Sequence, residues 1–311
     1  MKYGFGIDLG GTTVKLGLFN ENADLLHKWE IPTDTSDNGK NILPDIAEAI
    51  VKEMEAQGIA KSDVLGAGIG VPGPVSGQRI VNNCINLGWG VVDLQASLGA
   101  LLGMTVKAGN DANVAALGES WQGGGKGYGS MVFVTLGTGI GGGIVLDGKI
   151  LEGAHGAAGE VGHVTLDRNE TEPCGCGKFG CAEEYGSATG IVRIARRYLA
   201  SHDTPSPLRD LEVITARDVF DHAKAGDQAA LGIVDRVYDD LGVFLAGICC
   251  IIDPEVVVIG GGVSNAGPIL LDGIRPYFTK YMFHTGRNIP FALATLGNDA
   301  GIYGAVKMIL D

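Results

Sequence analysis

Six residues within 24 positions carry the densest chemistry in the chain: Glu160, His163, Cys174, Cys176, Cys181 and Glu183. The cysteines are separated by one and four residues, and glycines fill most of the gaps. Glycine lets the backbone fold tightly enough for such thiolates to converge on one ion. Three cysteines and one histidine make a tetrahedral zinc set, and a closed set of four is structural. The bland alternative, small buried apolar residues beside a surface histidine, does not suit a polar, glycine-rich loop. A zinc here would also fix Glu160, His163 and Glu183 in space, making the loop a platform for a polar ligand.

A second group opens the chain. Residues 8–13 read Asp8-Leu9-Gly10-Gly11-Thr12-Thr13 and lie between a buried strand, Tyr3–Leu9, and a second strand over 14–19. A tight Gly-Gly-Thr turn aims N–H groups and hydroxyls at one spot, which makes an anion nest; an ordinary hairpin with a Gly-Gly turn has the same sequence. Asp8 argues against the plain hairpin. A carboxylate at the lip of a phosphate nest repels phosphate unless a cation such as Mg²⁺ lies between, directly or through water. Lys15 alternates along the second strand, where it either helps hold phosphate or faces solvent.

The same outline returns at 133–146, where a strand, the turn Gly137-Thr138-Gly139 and another strand follow in order. Two such units suggest a duplicated fold whose halves face each other across a cleft, the second nest holding the far side of a polyphosphate. Further on, Gly260-Gly261-Gly262 follows a strand. A base or ribose can lie flat on such a backbone, and a close helix–strand contact needs the same glycines. Asn110-Asp111-Ala112-Asn113 ends a strand where a helix begins, a position that Asn or Asp also takes as a simple N-cap. Asn82, Asn83 and Asn86 precede Trp89 in what reads as a polar loop; amides beside a tryptophan suit a sugar, although loops are generally rich in Asn.

The elements that must position these residues alternate in type. A strand over 25–31 is followed by an amphipathic helix, Ile42–Gln57, with Ile42, Ile46, Ile50 and Met54 every fourth residue and Gly58 at its C-cap. Strands follow at Val64–Val71 and 104–108, then a helix over 112–121 and a flexible glycine-rich connector at 123–129. Beyond the cysteines come a helix over 185–200, with Arg193, Arg196 and Arg197 on its polar side, and a helix starting at the Thr215–Asp218 capping pattern. A long buried helix over 229–252 is stopped by Pro254 and carries Cys249 and Cys250 as core. A strand at 255–259, another at 291–294 and a closing helix at 299–310 complete the order, an α/β pattern with mixed sheets. The expected domains are a small one of 1–113 plus 298–311 and a larger one of 114–297 with the zinc loop.

Composition narrows the function. The 311 residues include 36 acidic and 23 basic ones, a net charge of −13, which opposes non-specific nucleic-acid binding. Glycine stands out at 51 residues, clustered at strand ends where close backbone approach is needed. No apolar run reaches membrane-spanning length and no signal-peptide pattern opens the chain, so the expectation is a cytoplasmic protein with reduced thiols.

Together these motifs resemble the ROK family of repressors, open reading frames and sugar kinases. The likeness rests on Asp8-x-Gly10-Gly11-Thr12, Asn110-Asp111, Gly137-Thr138-Gly139, Gly159-Glu160-x-x-His163, the Cys174, Cys176, Cys181 and Glu183 set, and Gly260-Gly261-Gly262. It spans essentially the whole chain, and within the family the sequence is most similar to the bacterial ATP-dependent glucokinases. The resemblance implies the actin-like ATPase (ribonuclease H-like) fold and a kinase that phosphorylates glucose at its 6-hydroxyl with ATP and Mg²⁺. It implies Asp111 as general base, and Gly73, Asn86, Asn110, Asp111, Glu160, His163 and Glu183 around the sugar. Asp8, Gly10, Gly11, Thr12, Thr13, Lys15, Thr138, Gly139, Gly261 and Gly262 fall to ATP, with Asp8 holding magnesium directly or through water. His163, Cys174, Cys176 and Cys181 match its zinc ligands. Relatives are commonly homodimers or homotetramers. Other family kinases take N-acetylglucosamine, N-acetylmannosamine, mannose or fructose, some use polyphosphate, and the family also holds sugar sensors and repressors. A repressor carries a helix-turn-helix segment ahead of the Gly-Gly-Thr loop, whereas here that loop begins at residue 8.

Overall fold

In the first strand of the computed structural model, which describes residues 1–310, side chains alternate strictly between two faces. Strand β1 (Tyr3–Leu9) sends Phe5, Ile7 and Leu9 to one face, where they join a buried cluster with Ile42, Ile46 and Ile50. Gly4, Gly6 and Asp8 take the other face. The chain continues through β2 (Thr13–Asn20), β3 (Leu25–Pro32), a single turn α1 (Ser36–Gly39), α2 (Ile42–Gln57), β4 (Val64–Val71), β5 (Val75–Ser76), β6 (Ile80–Cys84) and β7 (Trp89–Asp93). Helix α3 (Leu94–Leu102), β8 (Val106–Asn110) and α4 (Asp111–Gln122) follow, then β9 (Met131–Leu136), β10 (Ile140–Leu146) and β11 (Lys149–Ile150). The remainder is α5 (Glu183–Gly186), α6 (Ala188–Ser201), α7 (Ala216–Lys224), α8 (Gln228–Ile252), β12 (Val256–Gly260), α9 (Pro268–Tyr281), β13 (Phe291–Leu293) and α10 (Ala300–Leu310).

Two five-stranded sheets have the same plan. One has the order β3-β2-β1-β4-β8, the other β11-β10-β9-β12-β13. In the first, β1 is antiparallel to β2 and parallel to β4. In the second, β9 is parallel to β12, which is parallel to β13. The repeated strand–turn–strand motif thus heads two copies of one mixed α/β architecture, as the sequence repeat implies.

By internal contacts the chain forms two units: 1–129, 143–159 and 296–311, and 130–142 with 160–295. The expected boundary at 113/114 falls inside the first turn of α4, a helix that belongs to the first unit. In that unit α10 lies directly on sheet backbone. A Cβ on Gly6 would stand 2.0 Å from the Ile302 carbonyl oxygen, and one on Gly68 would stand 1.7 Å from that of Ala305. On its other side α10 meets α4 as closely, with Gly304 against the Val114 carbonyl. The glycines Gly6 of β1 and Gly68 of β4 therefore let the closing helix down onto the sheet, and its own Gly304 lets it meet α4. The core of the second unit gathers around α8, whose Ile233, Val237, Leu241, Phe244, Leu245 and Ile248 are all buried.

Several local expectations need correction. The stretch around Asn82–Asn86 is not a polar loop: β5, β6 and β7 form an antiparallel three-stranded sheet, and Trp89 is buried with its indole N–H donating to the Gly39 carbonyl at 3.3 Å. Trp89 is therefore committed to the core. The glycine-rich 123–129 connector is an ordered turn, because the buried Glu119 carboxylate accepts the Gly124 amide at 2.8 Å and its carbonyl accepts that of Gly125. The helix expected over 185–200 is broken at Ser187, whose hydroxyl caps α6 by accepting the Gly190 amide. Cys249 is buried, but Cys250 is exposed on the outer face of α8.

Candidate active site

The first unit gathers one group of candidate residues. In the β1–β2 hairpin Asp8 and Lys15 stand opposite each other, so both fall on the glycine face of β1. Lys15 Nζ approaches Asp8 Oδ2 at 3.4 Å and also donates to the Asn298 carbonyl. Lys15 is thus turned to the carboxylate rather than to solvent. A Cβ on Gly301 would stand 2.7 Å from Asp8 Cγ, which places the carboxylate against the first turn of α10. Helix N-termini attract negative charge. The turn is closed by the Gly10 amide donating to the Thr13 carbonyl, and Thr33 braces it with its hydroxyl on the Gly10 carbonyl and its amide on that of Thr12. Gly11 and Thr12 are exposed at the tip.

Strand β8 delivers Asn110 and Asp111 to the start of α4. Asn110 is an N-cap: its Oδ1 accepts the amides of Ala112 and Asn113, and its Nδ2 donates to the Gly73 carbonyl at 3.2 Å. The capping reading of this motif therefore holds for Asn110. It also shows what Asn110 does for its neighbour, since the cap and the Gly73 bond fix the junction where Asp111 begins the helix. Asp111 accepts the Ala112 amide at 2.8 Å. Cys84 lies beneath this corner with its thiol on the Pro72 carbonyl. Burial pushes that thiol above its usual range, and the charge of nearby Asp111 adds to the shift. Asn86 is exposed, two residues beyond Cys84. Asn113, which the sequence reading left without a role, is buried; its Nδ2 donates to the Ala158 carbonyl, and among the described residues its Oδ1 has no partner.

The second unit gathers the other group. His163, Cys174, Cys176 and Cys181 offer ligand atoms all within 4.8 Å of one another. Cys176 and Cys181 sulfurs are 3.7 Å apart, and Cys174 Sγ is 3.9 Å from His163 Nδ1. A zinc–sulfur bond of ~2.3 Å in a tetrahedron gives edges of ~3.8 Å, so the four atoms fit the ion. The loop is shaped by backbone: the Cys174 amide donates to the Lys178 carbonyl at 2.7 Å and the Gly177 amide to that of Cys174 at 2.8 Å. Gly180, at φ 68°, lets the Asp167 carbonyl pass where a side chain would stand. Burial pushes the Cys174 thiol up to about 12 and raises Cys181, while the Lys178 amide lowers Cys176. Three such thiols ionise together only with a cation among them, which is what zinc supplies.

With Nδ1 turned to the thiols, His163 points Nε2 the other way, 3.9 Å from Glu160 Oε2. Glu160 is exposed. Glu183 begins α5 and joins two features that the sequence presents separately. Its Oε2 accepts the Ile140 amide at 3.0 Å, and its Oε1 lies 3.5 Å from Cys174 Sγ. A Cβ on Gly139 would be only 2.0 Å from Glu183 Oε2. Gly139 therefore leaves room for a carboxylate, a role beyond the phosphate contact expected of it. Exposed Thr138 is held from behind by the Thr189 hydroxyl on its carbonyl. Gly261, at φ 82°, lies against Leu136 backbone, while a Cβ on Gly262 would meet nothing within 4 Å. Beside Gly262 a cavity of about 660 Å³ is lined by Ala188, Ala216, Phe220, Val263 and Ala266, with Arg217 and Lys224 among its charged residues.

Sequence reasoning missed a buried ion network that holds the zinc loop. The Glu170 side chain, only 3% exposed, takes Arg193 and Arg197, and Tyr185 donates to it at 2.9 Å. Its carboxylate is held far below the usual range, chiefly by Arg197. The spacing of Arg193 and Arg197, one turn apart, was the available signal; their partner 23 to 27 residues earlier had none.

A family model for the ROK family matches residues 4–311. The chain belongs to the ROK family. It is 42% identical to a glucokinase of Halalkalibacterium halodurans, over 96% of this chain and 92% of that one. Identity to a glucokinase of Thermotoga maritima is 38%, over 98% and 96%. Among solved structures, a ROK family glucokinase from Streptomyces griseus in complex with glucose and AMPPNP matches with a TM-score of 0.75 at 31% identity, covering 98% of both chains. The two sheets of like plan are accordingly those of the actin-like ATPase fold of ROK kinases, and the His/Cys cluster is the ROK zinc motif. Among the described residues no helix is long and apolar enough to cross a membrane.

Proposed function

We propose that this ROK protein is an ATP-dependent glucokinase that transfers the γ-phosphoryl group to the 6-hydroxyl of glucose, giving glucose 6-phosphate and ADP. The observation that carries this reading is the similarity to glucokinases over nearly the full length, with every candidate residue for the chemistry present.

A hexose is a ring of hydroxyls, and Glu160, Glu183, His163 Nε2, Asn86 and the Gly73–Asn110 corner offer the acceptors and donors that bind one. His163 and the three cysteines would hold the zinc, which would fix the imidazole tautomer and leave Nε2 in a defined state towards a sugar hydroxyl. Asp111 accepts the proton of the 6-hydroxyl. Any carboxylate is a weak base towards an alcohol, but the hydroxyl becomes acidic as its bond to phosphorus forms. Gly10 to Thr13, Lys15, Thr138 and Gly139 serve the phosphates, and Asp8 serves Mg²⁺. Bound with ATP, that ion supplies charge neutralisation for a loose transition state.

The cavity beside Gly262 supports ATP as donor. Its apolar wall of Ala216, Phe220, Val263 and Ala266 has room for a purine, which polyphosphate would not use. The zinc thiolates suit a reducing compartment, in keeping with a cytoplasmic enzyme.

The test is ATP-dependent ADP release with Mg²⁺ across glucose, mannose, fructose, N-acetylglucosamine and N-acetylmannosamine. The reading requires kcat/KM for glucose well above the rest. A preference for an N-acetyl sugar assigns another substrate to the same site; absence of turnover with every sugar rejects ATP as donor, and absence with polyphosphate as well rejects the kinase.

A further inference from the structure

A cavity of about 920 Å³ lies wholly in the first unit and contains none of the candidate catalytic residues. It is lined by Lys107 of β8, Lys149 of β11 and Lys307 of α10, with Trp121 and Tyr128 as its aromatic residues. Asp147 is the one acid of the lining, so the lining carries three positive charges and one negative. The chain as a whole carries −13. A concentration of lysines in a concave, low-dielectric wall focuses positive potential, and against this background it selects anions.

Two of the three lysines are held in place by neighbouring groups. Lys107 donates to the Met308 carbonyl near the end of α10, and Lys307 lies over the Trp121 ring, 5.4 Å from its centroid. Lys149 is exposed, and the turn before it is pinned by the Gly148 amide, which donates to the Gly129 carbonyl at 2.8 Å; on the β8 wall the Ala108 amide donates to the Gln78 carbonyl. Aromatic faces beside ammonium groups suit an organic phosphate, with the rings against its carbon skeleton and the lysines around the phosphate.

We propose that this cavity is a binding site for a phosphorylated small organic anion of sugar-phosphate size, separate from the substrate site, and that it acts on catalysis. The route is short and covalent. Ser120 and Trp121 of the cavity end the helix that Asp111 begins, and Lys107 stands three residues before Asn110 on the strand that delivers the same junction. A ligand that binds tightly to one placement of α4 and β8 shifts the placement of Asp111 by its differential affinity.

Calorimetric titration without ATP or glucose tests the site, with glucose 6-phosphate, inorganic phosphate and glucose as probes. The choice of sugar phosphate rests on the kinase reading, but the binding does not need turnover; ADP release is measured on the same sample so that each can fail alone. Glucose 6-phosphate should bind saturably, more tightly than inorganic phosphate. Lys149→Glu should weaken it by about tenfold or more, since one exposed ammonium beside a dianion becomes a repulsion, while kcat and KM for glucose stay within about twofold. Lys307→Met gives a second variant that keeps the packing on Trp121. Unchanged affinity in both variants overturns the proposal, as does absence of saturable binding. Binding that excess glucose abolishes while Lys149→Glu leaves it intact puts the sugar phosphate in the substrate site and overturns it too.

Discussion

Replacing Gly139 with alanine separates two roles proposed for that residue, making room for Glu183 and contacting phosphate. A methyl group there would stand 2.0 Å from Glu183 Oε2, against an ordinary carbon–oxygen contact of ~3.3 Å. The carboxylate must withdraw by about 1.3 Å on that contact distance, which breaks its 3.0 Å bond to the Ile140 amide. Losing a hydrogen bond to a charged group costs ~1.5–3 kcal/mol. If that bond orients Glu183 for the sugar, kcat/KM for glucose falls by roughly 10- to 150-fold. Glu183→Ala alone should lose at least as much. The double substitution is the informative one: without the carboxylate there is nothing for the methyl to displace, so it should resemble Glu183→Ala. The interaction energy is then close to the whole cost of Gly139→Ala. The assay is coupled ADP release with glucose varied at saturating ATP, and then the reverse. Additive losses, or a Gly139→Ala defect confined to KM for ATP, would refute the argument and leave Gly139 with a phosphate contact alone.

Asp111→Asn should lower kcat by ~10²–10⁴-fold, the usual size of general-base help, while circular dichroism and melting stay near those of the parent; near-normal turnover rejects Asp111 as the base. Elemental analysis should find about one zinc per chain, in line with a closed four-ligand site. Removing it with a chelator should lower both melting temperature and glucose affinity, and full sugar affinity in metal-free protein would sink the platform role. Glu170→Gln should destabilise the fold by ~1–3 kcal/mol, because two arginines lose a buried partner although Arg197 is half exposed. Since the folded-state pKa of Glu170 is depressed, its contribution is complete above the unfolded-state value near ~4.3 and is lost as pH falls further. The parent should therefore lose stability more steeply than Glu170→Gln on acidification below about pH 4.3, and parallel melting curves would remove Glu170 from the account.

By itself the sequence determined the features whose cause is local. Phe5, Ile7 and Leu9 alternate with Gly4, Gly6 and Asp8, and that period of two sets a strand with different faces wherever it packs. Ile42, Ile46, Ile50 and Met54 set an amphipathic helix for the same reason, and Gly58 ends it at φ 66°. The His163, Cys174, Cys176 and Cys181 cluster was legible because its three cysteines lie within eight positions and the glycines between them permit one tight loop. Only the tertiary structure decided what depends on residues far apart in sequence. Trp89 went to the core and not to a sugar because Gly39, fifty positions earlier, takes its N–H. Lys15 turned to Asp8 across a hairpin register that one slip would have reversed. Glu183 met Gly139 over 44 positions, Glu119 braced the glycine-rich turn and Leu296, and Lys107, Lys149 and Lys307 came to line one cavity from three separate elements. Periodicity and spacing report what each segment can bury or bend around. They carry no information about which distant carbonyl, carboxylate or ammonium a side chain will meet, and that pairing is where the chemistry of this site is set.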